Sequence, residues 1–272
     1  MTQLTSVSHS MALGEGAAHA GVPVAFDTGE LDDLSLGVVM SWRFFDRAEG
    51  EPVELVALPQ TRGGPMLITY PRSREELIAR MREAEAMPGI SGCYVVPNRI
   101  RPELALKYPA LRWSRVTKEL GRAKDSDIVE RTVVYFDLDA ERADKAWSAS
   151  HAEKRPVFDV ADRLETWLVH ELGDRTAIGR GDSGNGLALF VALEPTTPTD
   201  ATTRRLGRLL ERASEKFSTP QVSIDRTVFN ASRLCPAFGS LKTKRSDNER
   251  PNRRTYFSCA GWVRRMPMGA IV

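Results

Sequence analysis

The chain of 272 residues is 42% hydrophobic and 27% charged, a globular balance that excludes a disordered or fibrous protein and suits one large α/β domain or two packed modules. No stretch approaches the roughly eighteen consecutive apolar residues of a membrane span, and the amino terminus, MTQLTSVSHSMALGEG, lacks the pattern of a secretory signal. Net charge is only +2, but from Ala201 onward fifteen Lys/Arg face five Asp/Glu; a basic last quarter points to phosphate, on a nucleotide or a nucleic-acid backbone, against the plainer reading of a solvated helix face with a basic tail.

In chain order, residues 1–32 are small, polar and aperiodic, and read as a mobile tail or a late-starting first strand. Residues 36–45 and 52–59 read as strands. Ser73 and Glu76 form the Ser-x-x-Glu pattern of a capping box, which predicts a helix over Arg74–Ala86 that Met87-Pro88-Gly89 stops. Residues 92–96 read as a short strand and 97–102 as irregular. The strongest strand is 128–139, IVERTVVYFDLD. An apolar stripe of Val157, Val160, Ala161, Leu164, Trp167, Leu168 and Leu172 predicts an amphipathic helix over 156–172. Residues 176–181 and 187–193 flank Asp182-Ser183-Gly184-Asn185-Gly186, a hairpin whose Asn-Gly tolerates positive φ. A helix over Asp200–Phe217 and a strand over 222–229 precede a basic, loop-rich end.

Strand–helix–strand–strand–helix–strand is the order of a ferredoxin-like or RNA-recognition-like unit. The expected class is therefore α+β, with a mixed αβ module at 33–124 packed on an RNA-recognition-like module at 125–272. No G-x-x-x-x-G-K-[ST] phosphate loop occurs, so the chain holds no ATP-driven motor. Cys93, Cys235 and Cys259 stand far apart without a CxxC pair. That argues against disulfides, leaves no zinc site expected, and fits a cytoplasmic, reducing location.

Three carboxylates carry the chemistry. Asp137 and Asp139 close the strongest strand, and side chains two apart share a face, placed to clamp divalent cations. Asp-x-Asp alone also marks ordinary solvated strand ends. A third acid, Asp225, joins them if the last strand lies beside the first, or else pairs locally with Arg226 or Arg233. Ser183, Gly184, Asn185 and Gly186 make a tight turn whose small residues admit a phosphate to backbone N–H groups; read plainly, they are a hairpin turn. Arg233, Lys242, Lys244, Arg250 and Arg253 follow within thirty residues of Asp225, as phosphate ligands or as a solvated loop.

Taken together, VVYFDLD, DSGNGLALF, IDRTVFNASRLCPAFGSLKTK and RPNR resemble the ordered motifs of the archaeo-eukaryotic primase (AEP) superfamily, and more closely the primase-polymerase domains of phages, plasmids and mobile elements. The third block matches through Asp225, Asn230, Arg233, Gly239-Ser240, Lys242 or Lys244, and Arg250-Pro251-Asn252-Arg253; Tyr94–Asn98 and Ser148–Glu153 are similar to weaker family blocks. The resemblance runs from about Ser91 to Tyr256. It implies that Asp137, Asp139 and Asp225 hold two Mg²⁺ or Mn²⁺ ions, and that Ser183 and its glycines, Arg233 and the nearby lysine hold a nucleoside triphosphate. It further implies a single-stranded or primed DNA template, a separate helicase, and DNA contacts at Arg250, Arg253 and Arg254. One departure stands out: the family's middle motif ends in a histidine where this chain has Ala188. Arg180, Asn185 or a basic residue of the third block then covers the triphosphate, with Arg180 the leading candidate, or nucleotide binding is weakened.

The expected function is metal-dependent, template-directed nucleotidyl transfer by a primase-polymerase. Two rivals stay open: a catalytically weak nucleic-acid-binding replication factor of the same fold, and a different Asp-x-Asp enzyme such as a nuclease or a sugar-nucleotide transferase.

Overall fold

A computed structural model describes residues 31–271; the reading of the first thirty residues as tail or strand lies outside them. The first described element is a helix, α1 (Asp33–Phe44), where the sequence pattern predicts a strand at 36–45. Asp32 caps it, accepting the Ser35 N–H at 2.9 Å. Leu34, Val38 and Trp42 fall four apart on its buried side. The β-branched pair Val38-Val39 favours a strand only weakly, and cap and burial override it.

Next come β1 (Leu55–Pro59), β2 (Leu67–Thr69), α2 (Arg74–Ala86), β3 (Ile90–Val95), and the short β4 (Arg99–Ile100), α3 (Pro102–Ala105) and β5 (Ser114–Arg115). Ser73 caps α2 as its sequence predicts, while Glu76 reaches back to the N–H of Arg72 rather than Ser73. The long β6 (Ile128–Ala140) leads into α4 (His151–Leu172). That helix starts ahead of Pro156 because Ser150 and Glu153 form a complete capping box. The hairpin of β7 (Ile178–Asp182) and β8 (Gly186–Thr196), then α5 (Asp200–Phe217) and β9 (Val222–Ile224), follow. The strand predicted to reach 229 stops at 224, because Asp225 folds into a turn and accepts both the N–H and the hydroxyl of Thr227 at 2.7 Å. The chain finishes with β10 (Cys235–Pro236), β11 (Leu241–Lys242), β12 (Arg253–Arg254) and β13 (Tyr256–Cys259).

Among the described residues two large sheets form, in the orders β10-β3-β1-β2-β5 and β13-β7-β8-β6-β4, with β9 also paired to β6, and β11 and β12 pair in a small third one. Helix α4 lies against β6 and β8 on one face of the second sheet, with α5 beside it and against β9. The opposite face turns toward α1 and the first sheet across an aromatic cluster of Phe44, Phe45, Tyr135, Phe190, Phe238 and Phe257. Elements on the two sides of residue 124 share both sheets: β4, ahead of it, pairs with β6. β10 crosses back to pair with β3, and Asn98 ties the halves, accepting from Thr132 N at 2.9 Å and donating to Ala231 O at 2.8 Å.

Helix α1 is held at backbone contact. A Cβ on Gly37 would meet Gly239 N at 2.4 Å, and Gly239 itself takes φ +95° against Leu34 O. Gly207 in α5 is the opposite case, since a Cβ there would meet Phe229 at an ordinary 3.8 Å. Gly37→Ala is therefore expected to cost about 1–3 kcal/mol by overpacking, whereas Gly207→Ala gains up to about 1 kcal/mol of helix propensity. Denaturant midpoints of the two variants check the opposite signs.

Candidate active site

The pleat of β6 puts Tyr135, Asp137 and Asp139 on the face turned toward the first sheet. Ala188 of β8 lies directly across from Asp137, and Gly186 across from Asp139. No larger residue fits at 186, because a Cβ would stand 2.2 Å from Leu138 O. On the other edge, β9 pairs with the end of β6, and the Asp225 N–H donates to Asp137 O at 2.9 Å. Three acids thus share one strand end.

Their side chains are not equivalent. Asp137 and Asp139 are half-buried, and neither carboxylate accepts a hydrogen bond or pairs with a cation among the described residues. Burial, together with the charges of Asp139 and Asp225, pushes the Asp137 carboxyl well above the usual carboxylate range, and Arg233 opposes the shift. Asp225 is fully engaged: Thr227 takes Oδ1, and Arg233 Nη2 donates to Oδ2 at 3.0 Å. Among the described residues no group of three such side chains converges as a ready metal site. Asp137 and Asp139 are the hard oxygen donors that Mg²⁺ or Mn²⁺ takes, so the pair fits such an ion, while the third acid is paired with Arg233.

The turn after β7 is braced from α4. Lys154 is buried and donates to both Asp182 oxygens at 2.8 and 2.7 Å, and Asn185 accepts the Ala149 N–H at 2.8 Å. The amides of Ser183, Gly184 and Gly186 are spent inside the turn, on Gly186 O, Asp182 Oδ1 and Ser183 Oγ. As it stands, the turn offers a phosphate the Ser183 hydroxyl but not the row of amides its sequence suggests.

Lys242 is buried under Tyr94. Its Nζ donates to Cys93 O at 2.9 Å and lies 3.2 Å from the centroid of the Tyr94 ring; burial pulls the ammonium down to about 7. Burial, with Asp137 and Asp139 nearby, pushes the Tyr94 phenol up to about 12. Lys244 donates to Lys145 O at 2.8 Å and feels the charge of Asp139. The three arginines expected on DNA are engaged within the protein: Arg250 with Glu153 at 2.7 Å, Arg253 with Ala149 O, and Arg254 with Glu85 at 2.8 Å.

Arg180 is corrected by the register. It pairs with Leu189 on β7, in the row that faces α4, and its guanidinium binds Asp162 and Glu165 of that helix. Gly181, not Arg180, shares the row of Ala188 and Asp137, so Arg180 does not stand in for a histidine at 188. Ala188 faces the acid side as expected but has no exposed surface. Beside it the Phe238 ring covers Gly181, where a Cβ would lie 2.3 Å from the ring. Tyr94 and Lys154 are the site residues that spacing alone did not single out; a lysine in the first turn of a helix usually signals solvent, not a buried pair.

A carboxyl with a raised value binds its proton more tightly folded than unfolded, so its stabilising contribution is complete at acid pH and is lost as pH rises through the raised value. Asp137→Asn is therefore expected to stabilise metal-free protein in mildly alkaline buffer by about 1 kcal/mol after solvent screening, seen as a raised Tm, with the gain shrinking as the buffer is acidified. Thermal melts across a pH series check it; an alkaline Tm at or below that of the parent contradicts the repulsion.

No protein-family model matches the sequence, and no curated protein matches it. Among solved structures, the chain is similar to the AEP domain of the cyanophage S-2L primase-polymerase, with a TM-score of 0.50 at 14% identity over 86% of this chain and 94% of that domain. The chain has an AEP-like fold.

Proposed function

We propose that the chain is a primase-polymerase, a nucleotidyltransferase that extends and starts strands on a DNA template. The observation that supports this most is the set of acids gathered at the joined ends of β6 and β9 within an AEP-like fold. The order β7-β8-β6-β9, antiparallel throughout, suits the RNA-recognition-like reading of this half.

Asp137 and Asp139 would hold a divalent cation, which when bound neutralises charge developing on the α-phosphate as a 3′-hydroxyl attacks it. Arg233 has an exposed path to solvent and a carboxylate partner that a triphosphate outcompetes in charge. When Arg233 moves to the phosphates, Asp225 is released toward the other two acids. Lys242 stays packed under Tyr94, supporting the wall beside Asp137 rather than reaching the nucleotide. One observation favours a second reading, a nucleic-acid-binding factor with weak catalysis: Asp225 is bound to Arg233, and among the described residues no three side chains are placed together to hold a metal.

A primed template incubated with deoxynucleotides and Mn²⁺ separates the readings on one gel. Extension is expected, and Asp137→Ala and Asp139→Ala are each expected to abolish it while folding normally. An unchanged primer supports the binding factor, a shortened primer a nuclease. Undiminished extension by either variant removes these carboxylates from the chemistry.

A further inference from the structure

Helix α5 carries a charge pattern that the carboxylate end does not use. Its apolar side, Leu206, Leu209, Leu210, Ala213 and Phe217, is buried. With α4 it covers the face of the second sheet turned away from Asp137. Arg204, Arg208, Arg212 and Lys216 recur every fourth residue along its outer surface, with Arg205 alongside, and all five are exposed. At 1.5 Å per residue the row is about 18 Å long in steps of about 6 Å, and at about 100° per residue Arg205, Arg208, Arg212 and Lys216 fall within an arc of about 80°.

None of the five makes an ion pair or hydrogen bond among the described residues, although Glu211 and Glu215 share the helix. Arg212 and Lys216 instead lie over the Trp167 ring of α4, at 5.9 and 5.4 Å from its centroid. Like charges four apart on a helix repel, so folding leaves this row uncompensated, and a bound polyanion relieves it.

We propose that the outer row of α5 is a nucleic-acid backbone site, remote from the carboxylates, that holds a strand through its phosphates without reading bases. Charge complementarity selects a polyanion. Four guanidiniums present planar forks that match phosphate oxygens bidentately, and the even spacing of the row suits the repeating charge of a phosphate backbone. The row spans about five nucleotides of one strand. The site goes beyond the proposed function and stands even if the acids do other chemistry.

The test is fluorescence anisotropy of a labelled single-stranded oligonucleotide over a salt series, comparing the full chain with R204Q/R205Q/R208Q/R212Q. The variant is expected to melt no lower than the parent, to bind at least tenfold more weakly at low salt, and to lose about 0.7 from the log–log salt slope for each contact removed. The readout is strand binding without Mn²⁺ or nucleotide, so its outcome is independent of primer extension, which separates failure of this site from failure of the nucleotidyltransferase reading. A quadruple variant with the parent affinity and slope overturns the proposal. So does polyglutamate competing as strongly as unlabelled oligonucleotide, which assigns the row to an acidic polypeptide.

Discussion

The register of β6 against its neighbours is the constraint on which the site depends. β6 is paired with β8 on one edge and with β9 at its end on the other, so it can neither slide nor rotate. A shift of one residue would exchange the rows: Asp137 and Asp139 would turn into the helix-covered side now filled by Phe136 and Leu138, and the acid cluster would disappear. Gly186 permits this register, because only a residue without Cβ lies flat against Leu138 O. The aromatic cluster centred on Phe190 and Phe257 then fixes the distance between this sheet and α1.

Within that frame the electrostatics are deliberately unfinished. Among the described residues two carboxylates sit half-buried without hydrogen-bond or ion-pair partners, the third is paired with Arg233, and the Lys242 amine is turned into Cys93 O and the Tyr94 ring. A protein shaped for stability alone would pair Arg233 with Asp137, whose charge is already disfavoured by burial and the neighbouring acids. Leaving Asp137 and Asp139 bare costs folding free energy, a cost that fits the cation-holding role proposed for them.

Much of the architecture was legible in the sequence where local signals are strong. The caps at Ser73, the apolar stripes of α4 and α5, the Asn-Gly turn and the VVYF run each correspond to an observed element. The failures have physical causes. Residues 36–45 carry no polar alternation to separate helix from strand, and the deciding cap, Asp32, precedes the run. The two-residue strands β4, β5, β10, β11 and β12 are too short to show any period. At the site, the clustering of Asp137, Asp139 and Asp225 follows from strand order, whereas the side of the sheet taken by Arg180 depends on a one-residue phase that the hairpin sequence leaves open. The internal engagement of Arg250, Arg253 and Arg254 depends on acids and carbonyls distant in sequence, Glu85 and Ala149 among them.

The central claim is that Asp137 and Asp139 accept a divalent cation and that a nucleotide completes the site by drawing Arg233 from Asp225. Mn²⁺ titration followed by electron paramagnetic resonance, with and without a non-hydrolysable nucleoside triphosphate, tests it most directly once binding to the nucleotide alone is subtracted. Weak Mn²⁺ binding without nucleotide and tighter binding with it are expected, with Arg233→Gln tightening the nucleotide-free binding while removing the coupling. Mn²⁺ binding that is absent under both conditions, or that is unchanged by Asp137→Asn, contradicts it.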